Sequence, residues 1–408
     1  MSHSAKLLLA IISLSLFYLL IGSVPQKSPV AQGTSAKWLH HLRIKPKQNN
    51  KTKLVMGTKI VKPDLGTPSV EDAAKPAVIP EVKGVYLTAW KAGNSQFIYH
   101  LSDFVAKTEV NSVVVDVKDD CGTISYGSKV QLVKQIGANL KKFDPQLLLK
   151  VLEENKIYVI ARIVVFKDPL LAKACPDLAV RNGKGELWSD RKGTHWVDPY
   201  NRKVWDYNLE IAKEAAEMGF KEIQFDYIRF TSDGNISECR YPADNGETKS
   251  EVIGKFLKQA KEILEPLGVK VSADVFGLTC SAKDDLGIGQ DFVLIAQNVD
   301  IICPMVYPSH YYKGQYNIAD PDSKPYETIL HSLLDAKEKL AKAQVNTVVR
   351  PWLQDFSLLS HYNRQELMAQ IHAVEDVGLN QWLFWNPQNN YDVSKYLVAS
   401  DDCQKYSK

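Results

Sequence analysis

The sequence predicts an α/β fold, a (β/α)8 barrel over residues 81–398, preceded by a hydrophobic N-terminal segment and a linker. One observation is that short β-branched runs alternate with amphipathic helical segments, which is typical of βαβ units and a parallel sheet. A second is that the alternation occurs eight times over about 310 residues, which suits one closed TIM barrel with several long loops. No shorter internal repeat and no second domain is evident in the sequence.

The first 24 residues predict a signal peptide or a membrane anchor. Residues 7–21, LLLAIISLSLFYLLI, form an uncharged apolar run typical of the hydrophobic region of a secretory signal. No clear A-x-A cleavage motif follows, so a cleaved signal and an uncleaved anchor formed by residues 7–24 both stay open. Either alternative predicts export, with the protein secreted or held on the membrane at the periplasmic or extracellular face.

A flexible linker is predicted for residues 25–80. This stretch is rich in Pro, Lys, Gln, Thr and Ser and has no sustained hydrophobic period. Such a composition buries too little apolar surface to order itself, so the stretch is expected to tether the folded domain.

The eight predicted strands are rich in β-branched and aromatic residues. They cover residues 82–90, 112–119, 157–166, 222–230, 269–276, 300–308, 347–354 and 381–387. Two of the intervening helices are expected to begin at Asp-Pro pairs, with Asp144 and Asp198 as N-caps. Aspartate suits the cap position and proline suits the first helical position.

Charge and composition exclude several classes of protein. The formal net charge is +3 and the basic residues are scattered, so no nucleic-acid partner is predicted. The motifs G-x-S-x-G, H-E-x-x-H and G-x-x-x-x-G-K are missing, and the nine histidines and six cysteines lack metal-ligand spacing. Hence no cofactor and no metal is predicted, while one or two disulfides are expected of an exported protein.

Strand alternation predicts which side chains face the barrel interior. In the fourth strand Ile223, Phe225 and Tyr227 share an apolar face, so Gln224 and Asp226 on the other face are expected to point inward. The same rule directs polar residues inward from four other strands: Asp116 and Lys118; Arg162; Ser272 and Asp274; and Arg350, Trp352 and Gln354. A structural ion pair would explain any two of these charged residues taken alone. Charged groups from four strands at the C-terminal end of the barrel instead predict a functional pocket.

The carboxylates in this predicted pocket suit glycoside cleavage. Two acids in a desolvated site with a nearby arginine can be driven to different pKa values, giving one ionised group and one proton donor. Asp226 is therefore predicted to be the nucleophile or the stabiliser of the oxocarbenium ion, and Asp274 the general acid. Asp119 and Asp120, just after the second strand, are competing candidates for the acid.

Aromatic and polar residues at the strand ends and in the loops are predicted to bind the sugar. Aromatic rings offer flat apolar faces for stacking, although core packing explains each ring equally well. The predicted substrate-binding residues are Trp90, Asp116, Lys118, Asp119, Arg162, Tyr227, Arg229, Tyr307, His310, Trp352, Gln354 and Trp385.

Several stretches resemble a known family. They are THWVDPYNRKVWDYNLEIAKEAAEMGFKEIQFDYIRF, VKGVYLTAW, VVVDVKDD, IARIVVFKD, SADVFG and ICPMVYPSHY. The family comprises exported bacterial (β/α)8 barrels assigned as glycoside hydrolases, long catalogued as a domain of unknown function and distantly related to α-amylase-type glycosidases. The resemblance, over roughly residues 82–395, implies the barrel, a glycosidase activity and Asp226 as a catalytic carboxylate. It places the second acid on strand five, where this chain has Asp274 and many relatives have glutamate.

The predicted function is hydrolysis of a glycosidic bond in an extracellular or cell-envelope polysaccharide or oligosaccharide. Two alternatives stay open. One is a carbohydrate-binding or envelope protein on the same scaffold, which would need the aromatic residues but not two facing acids. The other is a metal-dependent enzyme in which Asp116, Asp226 and Asp274 hold a divalent cation, against which the cations Lys118 and Arg162 argue.

Overall fold

The computed structural model describes residues 79–396. The strands of this part of the chain are β1 Lys83–Leu87, β2 Ser112–Lys118, β3 Tyr158–Val164, β4 Glu222–Asp226, β5 Lys270–Phe276, β6 Ile301–Met305, β7 Val348–Val349, β8 Trp352–Gln354 and β9 Trp382–Trp385. The predicted signal or anchor, residues 1–24, lies outside the described residues, as does the predicted linker except for its last two residues.

The strands close into a parallel barrel with eight positions. From β1 to β6 each strand pairs with the next in sequence, and β9 pairs with β1. The short strands β7 and β8 share the seventh position, since both pair with β6 and β8 also pairs with β9. The predicted TIM barrel is therefore confirmed.

The seventh strand is split where the sequence predicted one strand over residues 347–354. Pro351 lies between β7 and β8, and proline has no N–H to donate to a strand ladder. The neighbouring Arg350 N–H still donates to the carbonyl oxygen of Ile302 at 3.0 Å, so the backbone stays in the barrel wall.

Every strand position is followed by at least one helix. Within residues 79–396 the helices are α1 Ala89–Ala92, α2 Ser95–Ala106, α3 Gln131–Gln135, α4 Pro145–Glu154, α5 Pro169–Ala174, α6 Arg202–Met218, α7 Lys249–Leu264, α8 Phe292–Ala296, α9 Pro325–Lys342, α10 Arg364–Asp376 and α11 Val393–Tyr396. None of these helices is long and apolar enough to span a membrane.

One of the two predicted helix starts is correct. Asp144 caps α4 and accepts hydrogen bonds from the N–H groups of residues 146 and 147. Asp198 does not cap α6, because this helix begins at Arg202 and its N-cap is Asn201. Its carboxylate instead accepts hydrogen bonds from the N–H groups of Tyr200 and Ala243, so it joins two loops.

Two apolar layers lie on the two sides of the barrel wall. Ile223 and Phe225 belong to the outer layer, between the strands and the helices, as predicted. Their neighbour Gln224 points inward and donates to the Cys303 sulfur at 3.3 Å, within the smaller inner cluster. The alternation predicted for β4 is thus confirmed.

A buried ion pair closes the N-terminal end of the barrel. Arg350 faces inward, as predicted, but its guanidinium donates to Glu222, the first residue of β4, at 2.7 Å. Both side chains are fully buried. This pair lies at the end of the barrel opposite the C-terminal end of β4, so we assign it a structural role.

The long loop between β3 and α6 contains α5 and several isolated antiparallel bridges, among them residue 179 with 197 and residue 189 with 195. These bridges give the loop a fixed path over the C-terminal end of the barrel.

Among the described residues the five cysteines are free thiols, so the expected disulfides do not form between them: Cys121, Cys175, Cys239, Cys280 and Cys303.

Candidate active site

A pocket that is open to solvent lies at the C-terminal end of the barrel. Four of its lining residues are the last residues of their strands: Asp226, Phe276, Met305 and Trp385. The carboxyl ends of β4, β5, β6 and β9 therefore form its floor. This is the end at which parallel barrels carry their functional groups.

Arg162 holds two carboxylates in the barrel interior. Its Nε and Nη2 donate to Asp226 Oδ2 at 3.0 and 2.5 Å, and its Nη1 donates to Asp116 Oδ1 at 2.6 Å. The other oxygen of Asp226 accepts the N–H of Tyr227 at 2.6 Å. Arg162 and the Tyr227 N–H are both donors to Asp226, as the acceptor oxygens of a carboxylate require.

Asp116 is fixed from a second side. The hydroxyl of Tyr86 donates to Asp116 Oδ2, and the Tyr86 ring stacks on Trp385 with ring centres 3.8 Å apart. Burial raises the pKa of Asp116, while the guanidinium of Arg162 and the Tyr86 hydroxyl oppose that shift. A series of hydrogen bonds thus holds the Asp226 carboxylate from the barrel interior: Tyr86 donates to Asp116, and Arg162 donates to both Asp116 and Asp226.

Asp274 lies beside Asp226 on the neighbouring strand. β4 and β5 are in register at Phe225 and Ala273, so the two aspartates are the next residues along this pair of strands. Asp274 is 1% exposed and accepts a hydrogen bond from Trp352 Nε1 at 2.8 Å. Burial, followed by the nearby charge of Asp226, raises the pKa of Asp274 well above its usual value. The two acids therefore differ in the way that acid–base chemistry requires.

The chain turns sharply directly after Asp226. Tyr227 adopts a left-handed backbone conformation with φ of +52°, which is uncommon for a residue with a side chain. Because β4 ends at Asp226, strand alternation no longer applies, and both Tyr227 and Arg229 line the pocket. The guanidinium of Arg229 lies 4.8 Å from the ring centre of Trp196.

Six of the predicted site residues line the pocket: Asp226, Tyr227, Arg229, Tyr307, His310 and Trp385. Four more adjoin it through contacts in the barrel interior: Asp116, Arg162, Asp274 and Trp352. His310 is 5% exposed, and burial lowers its pKa to about 3. Its ring lies 5.2 Å from that of Tyr307, so the two form one aromatic wall.

Lys118 does not face the lumen, so this part of the prediction is wrong. The pairing of β2 with β3 shifts register between Asp116 and Lys118, and this irregularity reverses the expected side-chain direction. The Lys118 ammonium is fully buried 2.8 Å from the Asp168 carboxylate and donates to Asn208 of α6 at 2.9 Å.

Three other predicted binding residues also lie away from the pocket lining. Trp90 is 58% exposed on α1, and the Lys142 ammonium lies 5.7 Å from its ring centre. Asp119 pairs with Lys142 at 2.5 Å and accepts hydrogen bonds within its own loop. Gln354 is fully buried and accepts from both the backbone and the hydroxyl of Ser309, which holds the loop after β6.

Asp120, the other competing acid, pairs with Lys167 at 2.7 Å. Although burial acts in the opposite direction, Lys167 lowers the pKa of Asp120. A carboxyl that is held ionised is poorly suited to donate a proton. Asp274 is the better candidate for the acid, because its pKa is raised.

Sequence reasoning missed part of the pocket wall. The additional lining residues are Lys167, Asp190, Lys192, Trp196, Ser232, Asp233, Phe276, Gln290 and Met305. Most of them lie in loops, where no hydrophobic period indicates direction. The only signal was composition, since residues 188–196 hold two tryptophans, two cations and an aspartate close together.

The geometry disfavours the metal alternative. Arg162 lies between Asp116 and Asp226 and donates to both, so a cation already occupies the position where a metal would bridge these carboxylates. Within residues 79–396 no group of three or more His, Cys, Asp or Glu side chains is arranged to hold a metal ion.

The fold and the site together define a parallel α/β barrel with two neighbouring carboxyl groups near the C-terminal ends of its strands, one held by arginine and the other fully buried. The chain matches the family model described as "putative glycosyl hydrolase domain" over residues 84–391. Because the match covers most of the chain, the protein belongs to this family of glycosidases. The resemblance seen in the sequence is thereby confirmed.

Several solved structures are similar to this chain. A hypothetical protein from Ruminiclostridium thermocellum is 41% identical to this chain, with a TM-score of 0.44; the match covers 50% of this chain and 98% of that protein. The glycoside hydrolase domain of PgaB from Bordetella bronchiseptica is 13% identical, with a TM-score of 0.57; the match covers 77% of this chain and 97% of that domain. An α-galactosidase from Thermus thermophilus is 13% identical, covering 80% and 61%, with a TM-score of 0.47. Among curated proteins there is no significant match.

Proposed function

We propose that the protein hydrolyses an O-glycosidic bond in an extracellular or cell-envelope polysaccharide with Asp226 and Asp274 as its two catalytic carboxylates. The observation that carries this proposal is the contrast between these neighbours on β4 and β5. Asp226 accepts two hydrogen bonds from Arg162, whereas burial raises the pKa of Asp274 well above its usual value. Glycoside hydrolysis requires such a pair of one ionised and one protonated acid.

In this proposal Asp226 meets the anomeric carbon. It lies on the pocket floor, and Arg162 and the Tyr227 N–H fix the orientation of its carboxylate. A carboxylate at this position stabilises positive charge that develops on the sugar, either as a nucleophile or as an electrostatic partner.

In this proposal Asp274 protonates the leaving oxygen. Burial, and next the negative charge of Asp226, raise its pKa well above the usual value, which favours the protonated form that a general acid needs. Trp352 donates to one carboxyl oxygen and so leaves the other to carry the proton.

The pocket walls suit a sugar ring. The pocket is lined by four aromatic residues whose rings are of the kind that stack on the apolar faces of saccharides: Trp196, Tyr227, Tyr307 and Trp385.

Export of the protein would bring it to polysaccharides outside the cytoplasm. We infer export from the uncharged run at residues 7–21, and cell fractionation followed by N-terminal sequencing distinguishes a cleaved signal from an anchor.

The test is release of reducing ends from a panel of polysaccharides by the wild type and by Asp226→Asn. The variant keeps the size of the side chain but loses its charge, so we expect activity to fall at least about 100-fold. The matched control is Asp206→Asn, which makes the same change at an exposed position on α6 and should keep full activity. Wild-type turnover that survives in Asp226→Asn would disprove the assignment.

A further inference from the structure

Three cationic side chains line the pocket together: Lys167, Lys192 and Arg229. Lys167 and Arg229 are 7% and 8% exposed, so both charges lie in a poorly solvated site. The Lys167 ammonium and the Arg229 guanidinium each lie 5.0 Å from the ring centre of Tyr227, so a single ring lies within reach of both cations.

Arg229 is held in one orientation. Its guanidinium lies 4.8 Å from the ring centres of both Trp196 and Phe276, and it donates to the Phe230 carbonyl oxygen and the Ser232 hydroxyl. A guanidinium fixed by rings and by short local hydrogen bonds loses little conformational entropy when a ligand binds. Such a fixed donor suits recognition of an anion.

Besides Asp226, two acids line the pocket, Asp190 and Asp233, and both contact neighbouring residues; a third acid, Asp120, pairs with Lys167 at 2.7 Å. Asp190 accepts the N–H groups of Lys192 and Thr194 on one oxygen and the Trp196 indole N–H on the other. Asp233 pairs with Arg191 at 3.1 Å. These contacts shape the loops around the pocket and reduce the negative potential that the carboxylates present to a ligand.

Lys167 and Lys192 affect each other electrostatically. The pKa of Lys192 is lowered, first by burial and next by the positive charge of Lys167. The carboxylates of Asp190, Asp120 and Asp233 act against this shift, and a bound anion between the two ammonium groups would reduce their repulsion further.

We propose that Lys167, Lys192 and Arg229 form a subsite for an anionic substituent of the sugar, so that the substrate is an acidic saccharide. Lysine and arginine offer only donors, and carboxylate, phosphate and sulfate oxygens offer only acceptors in their ionised forms. The inference rests on the proposed function, because it names the substrate class of the same pocket.

The test measures binding instead of turnover. Full-length Asp226→Asn is titrated calorimetrically with acidic glycans and with the neutral counterpart of each, so that slow hydrolysis does not interfere. The acidic arms are uronic-acid, phosphorylated and sulfated oligosaccharides, which distinguish the three possible sources of charge. We expect at least one acidic glycan to bind about tenfold more tightly than its neutral counterpart, as one charge-assisted hydrogen bond allows.

Charge-removing variants test the assignment to these residues. Adding Lys192→Gln or Arg229→Gln should abolish the preference for the acidic glycan, whereas Lys258→Gln, on the exposed face of α7, should leave it unchanged. The proposal is overturned if no acidic glycan binds better than its neutral counterpart, or if the preference persists in both pocket variants. Turnover of a neutral glycan that depends on Asp226 but shows no acidic preference would overturn only the subsite and leave the glycosidase intact.

Discussion

Asp226 and Asp274 show how far single residues could be assigned from the sequence. Alternation along β4 and β5 predicted that both carboxylates face inward, and both do. The difference between them arises from Arg162, which donates to Asp226, and from the burial of Asp274 beside that carboxylate. These surroundings form only on folding, so the sequence could predict two acids with different roles but not the contacts that distinguish them.

Trp352 should set the alkaline limit of activity. Its indole N–H stabilises ionised Asp274 and so lowers the pKa of that carboxyl, against the larger opposing effect of burial. Activity needs protonated Asp274, so it is present below this pKa and is lost as the pH rises through it. In Trp352→Phe the donor is gone, the pKa rises further, and the alkaline limb of the kcat/KM profile should move up by about one pH unit.

A tryptophan elsewhere in the fold provides the control for this pH profile. Trp205→Phe, on α6, removes an indole that donates to the carbonyl oxygen of Pro199 and should leave the limb in place. If the alkaline limb of the kcat/KM profile stays fixed or moves to lower pH in Trp352→Phe, Asp274 is not the titrating acid.

Residues of the pocket loops were harder to assign. Arg229 would point outward if β4 continued, but the strand ends at Asp226 and the left-handed Tyr227 redirects the chain. Lys167 and Lys192 lie in the β3–α6 loop, where side-chain direction follows from bridges and turns and not from a period. Sequence patterns carry little information about such positions.

Elements of secondary structure were predicted well in type and less well in detail. β-branched runs identified all eight barrel positions, because buried parallel strands have near-continuous apolar sequences. Pro351 splits the seventh strand, and a register shift in β2 turns Lys118 outward. Pro351 is visible in the sequence as a residue that interrupts a strand ladder, whereas the register shift depends on backbone hydrogen bonds with a neighbouring strand, which the residues of β2 alone do not specify.

The ion pair of Lys118 with Asp168 should stabilise the junction of β2, β3 and α6. Lys118 donates to the Val164 carbonyl oxygen of β3 and to Asn208 of α6, besides its ion pair with Asp168. Lys118→Met leaves the Asp168 carboxylate buried without its cation, so the free energy of unfolding should fall by about 3 kcal/mol. Urea denaturation at neutral pH measures this change.

Two comparisons test whether this role is structural. Lys258→Met, on the exposed face of α7, should change the free energy of unfolding by less than about 0.5 kcal/mol. The glycan affinity of folded Lys118→Met should equal that of the wild type. Unchanged stability together with weakened glycan binding would instead place Lys118 in the binding site.

At the scale of the whole molecule, the fold places the site. Parallel strands direct their carboxyl ends to one rim, so polar residues that end several strands must meet there. This rule predicted the pocket end of the barrel without any knowledge of the loops. The loops then supply the cations and part of the aromatic wall, including Trp196 and Arg229, and these give the pocket its chemical character.

The most direct test of the two-carboxylate account compares one substrate with a poor leaving group and one with a good leaving group. With an oligosaccharide, both Asp226→Asn and Asp274→Asn should lose at least about 100-fold in kcat/KM. With the corresponding aryl glycoside, whose leaving group needs no proton, Asp274→Asn should keep most of its activity while Asp226→Asn stays inactive. Equal losses of Asp274→Asn on both substrates, or an active Asp226→Asn, would contradict the account.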